Sequence, residues 1–178
     1  MTRVIAGECK GLKLHNPPGK SIRPSTDRTK EWIFSVLYDV RDLIVLDIFC
    51  GAGNLGIEAL SRGAKNCTFV DSSDRAISLT NKNLQLCGYE NRSRVLKTDV
   101  IRFLHNSAEQ FDLILADPPY QFPKFGDLIQ AAVARLTGPG RFFLETSDPV
   151  EENLPDHITE IRREVMGGTV VTVYGESV

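Results

Sequence analysis

Two short segments of this chain carry side chains whose types and spacing could do chemistry. The first runs Asp47-Ile48-Phe49-Cys50-Gly51-Ala52-Gly53-Asn54-Leu55-Gly56, with Gly51, Gly53 and Gly56 in G-x-G-x-x-G spacing. Glycines placed this way let the backbone turn tightly and approach a ligand, while the following helix presents its N-terminal amides. The pattern suits NAD, FAD or S-adenosylmethionine, and a bare structural turn is the alternative. Asp47 helps to choose. A carboxylate ~5 Å from a pyrophosphate, at an effective dielectric of ~20, would repel each phosphate charge by roughly 3 kcal/mol, whereas it would attract the ammonium of S-adenosylmethionine. Its other reading is a cap on nearby backbone amides. Phe49 and Gly51 lie in the same turn, Asp71 follows 20 residues after Gly51 where an acid can accept ribose hydroxyls, and Ser72 adjoins it. Asp99 could accept from an adenine amino group with Val100 packed on the ring, or cap the helix that starts at Val100.

The second segment is Asp117-Pro118-Pro119-Tyr120, at the end of the apolar run Phe111 to Ala116. Two prolines end the strand and hold an extended backbone whose carbonyls must find outside donors. An exocyclic amine is such a donor. Its nitrogen is a poor nucleophile because its lone pair is delocalised. Accepting its two hydrogens with the Asp117 carboxylate and the Pro118 carbonyl favours a pyramidal nitrogen aimed at a methyl group. Tyr120 can stack on the base and replace the stacking lost when a nucleotide leaves its helix or loop. A proline-rich strand exit with a surface tyrosine is the plain structural reading.

These segments need a frame. From Leu43 onward, apolar strands near 43–48, 67–71, 93–97, 111–116 and 140–145 alternate with amphipathic helices, which predicts a mostly parallel sheet with helices on both faces and ligands at the carboxyl ends of the strands. After Pro149, runs 158–166 and 169–174 flank Gly167-Gly168 and predict an antiparallel hairpin. Upstream, Arg3 to Ala6 and Lys10 to Leu14 read as a small hairpin, and a proline-rich linker through Arg23-Pro24 leads to a helix with Trp32, Ile33, Val36 and Leu37 on one face. Residues 1–42 are too few to be stable alone, so they extend a domain spanning 43–178.

Composition excludes several classes. The 178 residues are 42% hydrophobic and 25% charged, enough to bury one core. No apolar stretch approaches the ~20 residues that span a bilayer, and the first residues lack a secretory signal's apolar region. Cys9, Cys50, Cys67 and Cys87 and the three histidines are too scattered for a zinc site, so no metal is expected and a reducing cytoplasm fits. The net charge of −2 hides an asymmetry: residues 1–30 hold seven Lys or Arg against Glu8 and Asp27. A localised basic segment is either a nucleic-acid contact or a solvated arm.

Asp47 to Gly56 together with Asp117-Pro118-Pro119-Tyr120 resembles the class I S-adenosylmethionine-dependent methyltransferases that act on amino nitrogens. Arg3-Val4-Ile5-Ala6-Gly7, Lys10-Gly11, Arg23-Pro24-Ser25-Thr26-Asp27-Arg28, Glu31, Phe34, Leu55 to Ala64 and Gly167-Gly168-Thr169 narrow the likeness to the bacterial small-subunit (16S) ribosomal RNA guanine-N2 methyltransferases, over nearly the whole chain. Cys50 and Asn54 stand where that family tends to have small residues, Ser25 where it often has Thr, and Trp32-Ile33 in a usually aliphatic helix. The resemblance implies a Rossmann-like seven-stranded sheet of order 3-2-1-4-5-7-6. It further implies S-adenosylmethionine as cofactor and a guanine of 16S ribosomal RNA, in a small-subunit particle, as substrate. By the same likeness Arg3, Lys10, Lys13, Lys20, Arg23 and Arg28 grip RNA phosphates. The transfer is expected to be direct and in line, without a covalent role for Cys50. A DNA adenine-N6 methyltransferase, an NAD-dependent oxidoreductase and a catalytically silent RNA-binding module are the alternatives.

Overall fold

The alternation of apolar runs and amphipathic segments becomes one seven-stranded sheet in the computed structural model, which describes residues 2–17 and 27–177. In chain order the elements are α1 (Asp27–Val36), β1 (Ile44–Ile48), α2 (Asn54–Ser61), β2 (Asn66–Asp71), α3 (Asp74–Cys87), β3 (Ser93–Lys97), α4 (Val100–Asn106), β4 (Phe111–Ala116), α5 (Phe125–Val133), β5 (Leu136–Thr146), β6 (Ile158–Met166) and β7 (Thr169–Glu176). Strand order is β3-β2-β1-β4-β5-β7-β6, as the family likeness implies. The first five strands pair in parallel, and β7 runs antiparallel to both β5 and β6.

Strands buried on both faces read as unbroken apolar runs, and β4 divides its residues between two cores. Leu113 and Leu115 join Val45, Phe143, Ile57, Leu60 and Ile33 on one side of the sheet. Ile114 and Ala116 join Leu46, Ile48, Phe142, Leu128 and Ile129 on the other. Strand order reverses between β1 and β4, so the crevice at their carboxyl ends is the place for a ligand. Gly167 (φ 57°) and Gly168 (φ 82°) make the two-residue turn between β6 and β7 with the positive φ at both positions that such a turn requires.

Three expectations are modified. The N-terminal hairpin is reduced to a single antiparallel bridge, Arg3 to Lys13, supported by Val4 N donating to the Leu12 carbonyl at 3.0 Å and Gly11 N to the Val4 carbonyl at 2.8 Å. Packing on α2 replaces a longer ladder: at Gly7 (φ 82°) a Cβ would lie 1.8 Å from the Ser61 carbonyl oxygen. Helix α1 buries Thr29, Lys30, Ile33 and Phe34, while Trp32, Val36 and Leu37 are half-buried against the same core. Strand β5 begins at Leu136 rather than 140, because the register between Phe111–Leu136 and Leu113–Arg141 shifts and lets Pro139, which has no amide hydrogen for the ladder, bulge out.

The N-terminal segment is tied to α2 through Glu58, which is fully buried. Its carboxylate accepts from Ile5 N at 2.8 Å, Ala6 N at 3.1 Å and Arg62 Nε at 2.8 Å, and lies 3.7 Å from Lys30 Nζ. Lys30 also donates to the Arg3 carbonyl. Burial pushes the Lys30 ammonium below its usual range, against the pull of Glu58. Two amides and two cations around one carboxylate satisfy a charge that alone would be prohibitive to bury.

Candidate active site

The exit from β1 is a turn whose polar groups are bound to one another. Asp47 is 2% exposed and its Oδ2 accepts from Gly56 N at 2.9 Å, the backbone-capping role. Burial, with a smaller contribution from the charge of Asp71, pushes its carboxyl up to about 8. Its attraction for an ammonium near neutral pH is therefore weaker than the sequence suggests. Asp71 accepts from Gly51 N at 3.0 Å and Ser73 N at 2.9 Å. Thr80 donates to the Gly51 carbonyl at 3.0 Å, and Asn83 to the Ala52 carbonyl at 2.9 Å. Phe49 (φ 54°), Gly51 (φ 55°) and Gly53 (φ 78°) bend the chain. For Phe49 the left-handed conformation costs about 1 kcal/mol, and such conformations cluster at functional sites. Gly56 serves packing instead: a Cβ there would lie 2.4 Å from the Phe69 ring and 2.7 Å from Cys67 Sγ.

Beside this turn is a cavity of about 180 Å³, lined among others by Asn16, Asp47, Phe49, Gly51, Asn54 and Asp117. Asn54 Oδ1 is buried and has no hydrogen-bond partner among the described residues. That orphan acceptor, backed by open space over Gly51 where a Cβ would meet nothing closer than 3.9 Å, fits a guest that brings N–H donors against the backbone. Asp71, Ser72, Asp99 and Val100 do not line this cavity, although they stand at the carboxyl ends of the neighbouring strands β2 and β3. Asp99 caps α4 by accepting from Arg102 N at 2.9 Å. Ser72 is exposed, the capping of α3 falls to Ser73, and Val100 is buried in the second core.

The exit from β4 is left open. The Pro119 carbonyl accepts from Phe122 N at 2.9 Å, whereas the Pro118 carbonyl and the Asp117 carboxylate make no hydrogen bond to another described residue. Tyr120 is 68% exposed. Asp117 is reached by solvent yet hemmed in by protein. That confinement, then the charges of Glu145 and Asp47, push its carboxyl well above the usual carboxylate range. A second cavity of about 240 Å³ is lined by Asp117, Pro118, Pro119, Tyr120, Phe125, Glu145 and the loop after β5. Asp117 lines both cavities. An edge-on aromatic chain links the two exits, with Phe49 and Phe122 centroids 5.2 Å apart and Phe122 and Phe125 5.5 Å apart.

Sequence reasoning missed Glu145, Asn54, Phe122 and Phe125. Glu145 had a signal, since it follows the apolar Phe142-Phe143-Leu144 as Asp117 follows β4. Cys50 is buried beside Thr80 Oγ1 at 3.6 Å, and burial pushes its thiol well up, so it has no thiolate for covalent chemistry. No group of three or more His, Cys, Asp or Glu among the described residues is placed to hold a metal, and no helix among them is long and apolar enough to cross a membrane.

The basic segment is less free than its count suggests. Arg3 Nε meets Asp27 at 3.0 Å and Lys30 is internal, while Lys10, Lys13 and Arg28 are exposed. Lys20 and Arg23, both expected to grip RNA, lie outside the described residues.

Relatives match most of the chain in sequence, and a solved structure matches its fold. The chain is 36% identical to a putative rRNA methyltransferase, YlbH, of Bacillus subtilis over 179 residues, covering 97% of each. It is 38% identical to ribosomal RNA small subunit methyltransferase D of Haemophilus influenzae over 139 residues, 75% of this chain and 69% of that one. A solved structure described as a putative methyltransferase, yhhF, from Escherichia coli superposes with a TM-score of 0.86 at 28% identity, over 97% of this chain and 96% of that one. The sheet is the Rossmann-like sheet of class I methyltransferases, and the chain is a methyltransferase. Residues 2–175 match the family model described as conserved hypothetical protein 95, and the chain belongs to that family.

Proposed function

We propose that this enzyme transfers the methyl group of S-adenosylmethionine to the exocyclic N2 of a guanine in 16S ribosomal RNA. The observation that carries the reading is Asp117, which walls both the cavity at the glycine turn and the cavity at Tyr120 and Phe125. A group held in one cavity and a base held in the other meet at one carboxylate. The relatives named for rRNA methylation support the substrate class.

S-adenosylmethionine, when bound, supplies a methyl on a sulfonium that departs as a neutral thioether. The chain's own residues do the rest. Phe49, Gly51 and Asn54 form the wall against which it would lie, with Asp47 behind them; Gly53 holds the turn, Asp71 and Ser72 stand on the ribose side, and Asp99 with Val100 on the adenine side. Tyr120 stacks on the extruded guanine. The Asp117 carboxylate and the Pro118 carbonyl accept the two N2 hydrogens, so the nitrogen lone pair turns toward the methyl group. As the N–C bond forms and the C–S bond breaks, N2 becomes cationic and Asp117 takes its proton. A carboxylate whose pKa is raised is the better base for that step once ionised.

Residues 1–42 extend the catalytic domain 43–178 toward the RNA, with Arg3, Lys10, Lys13 and Arg28 exposed on the surface, and Lys20 and Arg23 between them in sequence. A small-subunit particle in the cytoplasm is the setting this reading implies. Changing Arg23 and Arg28 together to Ala weakens RNA binding and flattens its salt dependence by about two charges, leaving S-adenosylmethionine binding intact. Equal loss of both would contradict the assignment. The reading itself is tested by offering labelled S-adenosylmethionine with small-subunit ribosomal RNA, free and in particles, and with duplex DNA. Label entering guanine N2 of the RNA supports it; label entering DNA adenine, or RNA binding with no transfer, overturns it.

A further inference from the structure

The four cysteines are far apart in sequence, and the fold brings two of them together at its surface. Cys9 lies in the turn between Arg3 and Lys13, and Cys87, 78 positions on, is the last residue of α3. Cys9 Sγ donates to the Cys87 carbonyl oxygen at 3.6 Å, and the two thiols hydrogen-bond to one another. Both are free, half-buried and packed on the margin of the same core. Cys50 and Cys67 are buried within that core.

The turn that carries Cys9 is docked unequally on its two neighbours. Toward α2, Glu8 N donates to the Ser61 carbonyl at 2.8 Å and Cys9 N to Ser61 Oγ at 3.0 Å. Toward α3 and the residues after it, the turn offers the Cys9 thiol and an ion pair of Glu8 with Arg92 at 2.9 Å. The side chains of that pair are 62% and 33% exposed, so it holds the turn weakly.

We propose that Cys9 and Cys87 are a modification site, which a peroxide converts to a disulfide and a small dithiol restores. With hydrogen peroxide, the Cys9 sulfur attacks one oxygen, the O–O bond breaks, and Cys9 becomes a sulfenic acid; the Cys9 proton leaves with the other oxygen as water. The Cys87 sulfur then attacks the Cys9 sulfur. The S–S bond forms, the S–O bond breaks, and the departing hydroxide takes the Cys87 proton as a second water. The thiols lose two electrons and the peroxide gains them. Burial, then the adjacent Cys9, push the Cys87 thiol up to about 12, so Cys87 resolves the sulfenic acid rather than meeting the oxidant first. The bond fastens to α3 the segment on which Lys10 and Lys13 are exposed.

The test exposes the full-length reduced protein to hydrogen peroxide, counts its thiols, and identifies linked peptides by mass after digestion. We expect two of the four thiols to be lost, the chain to become lighter by two hydrogens, and the peptide of Cys9 to be joined to that of Cys87. The thermal transition should rise by about 5–10 °C, as for a cross-link that closes a long loop without distorting the fold. Dithiothreitol should restore both the thiols and the original transition. In Cys87→Ser, Cys9 should stop at the sulfenic acid, trapped by dimedone, and in Cys9→Ser no cross-link should form. Four thiols surviving the peroxide would overturn the proposal, as would pairing of Cys9 with any other cysteine or a disulfide found only between chains. A Cys9–Cys87 bond that lowers the thermal transition would overturn it too, since the fold would then have to break for the sulfurs to meet.

Discussion

The two strand exits on either side of the switch point are built in opposite ways. After β1, carboxylates and amides from β1, β2, α2 and α3 close on the turn: Asp47 on Gly56 N, Asp71 on Gly51 N, Thr80 and Asn83 on the turn's carbonyls. After β4, a carboxylate and a carbonyl have no hydrogen-bond partner among the described residues, and Tyr120 stands in solvent. The closed exit is a preformed wall, since donors and acceptors already fixed need no reordering when a ligand arrives. The open exit stores unmet hydrogen-bonding capacity that only a substrate fills. Stability therefore concentrates in the first exit and chemistry in the second.

Asp117→Ala breaks the comparison most sharply. Methyl transfer should fall by about 10²–10³-fold, as for loss of one positioned polar group at a reacting centre. Thermal stability at neutral pH should hold or rise, because a carboxyl crowded by protein and facing Glu145 has been removed. A large loss of stability, measured by denaturant unfolding, would mean that the open exit is structural after all.

Gly56→Ala probes the closed exit with the opposite signature. The added methyl would meet the Phe69 ring at 2.4 Å, and overpacking of this kind costs about 1–3 kcal/mol. Unfolding should reveal that loss, while the enzyme that remains folded keeps its preference among substrate bases.

Asp47→Asn is the finest of the three. The Asp47 carboxyl is raised to about 8 in the fold against about 4 in an unfolded chain. Between those values the native state holds a proton that the unfolded state has released, so stability falls as pH rises, by up to about 1.4 kcal/mol per pH unit from this group. Asparagine keeps an acceptor for Gly56 N and cannot ionise. The variant should flatten the decline of unfolding free energy between pH 5 and 8. An unchanged slope would show that Asp47 does not carry the proton.

The contrast between the exits explains what was readable in the chain. Gly51, Gly53 and Gly56 were legible because glycine at fixed spacing reports backbone turns and close approach, which are local properties. Asp117-Pro118-Pro119-Tyr120 was legible because two prolines after an apolar run end a strand wherever it lies. Glu145 was not singled out, since its meaning depends on β5 lying beside β4, a fact of strand order rather than of neighbouring residues. Lys30 counted as part of a basic arm, yet its ammonium is internal because Glu58, on another helix, waits there. The reduced hairpin has the same origin: Gly7 packs on the Ser61 carbonyl, and a contact between distant segments replaces the ladder that local alternation predicts.

The central claim is that the closed exit carries the binding of an adenosyl cofactor, although Asp117 of the open exit also borders its cavity. Calorimetric titration of S-adenosylmethionine into the wild type, Asp117→Ala and Gly53→Val tests it most directly, with the fold of each verified by its thermal transition. The account predicts one site per chain with similar affinity in the wild type and Asp117→Ala, and loss of that site in a folded Gly53→Val, where a side chain would enter the turn at φ 78°. Absence of binding heat from the intact wild-type chain, at several temperatures, would contradict it.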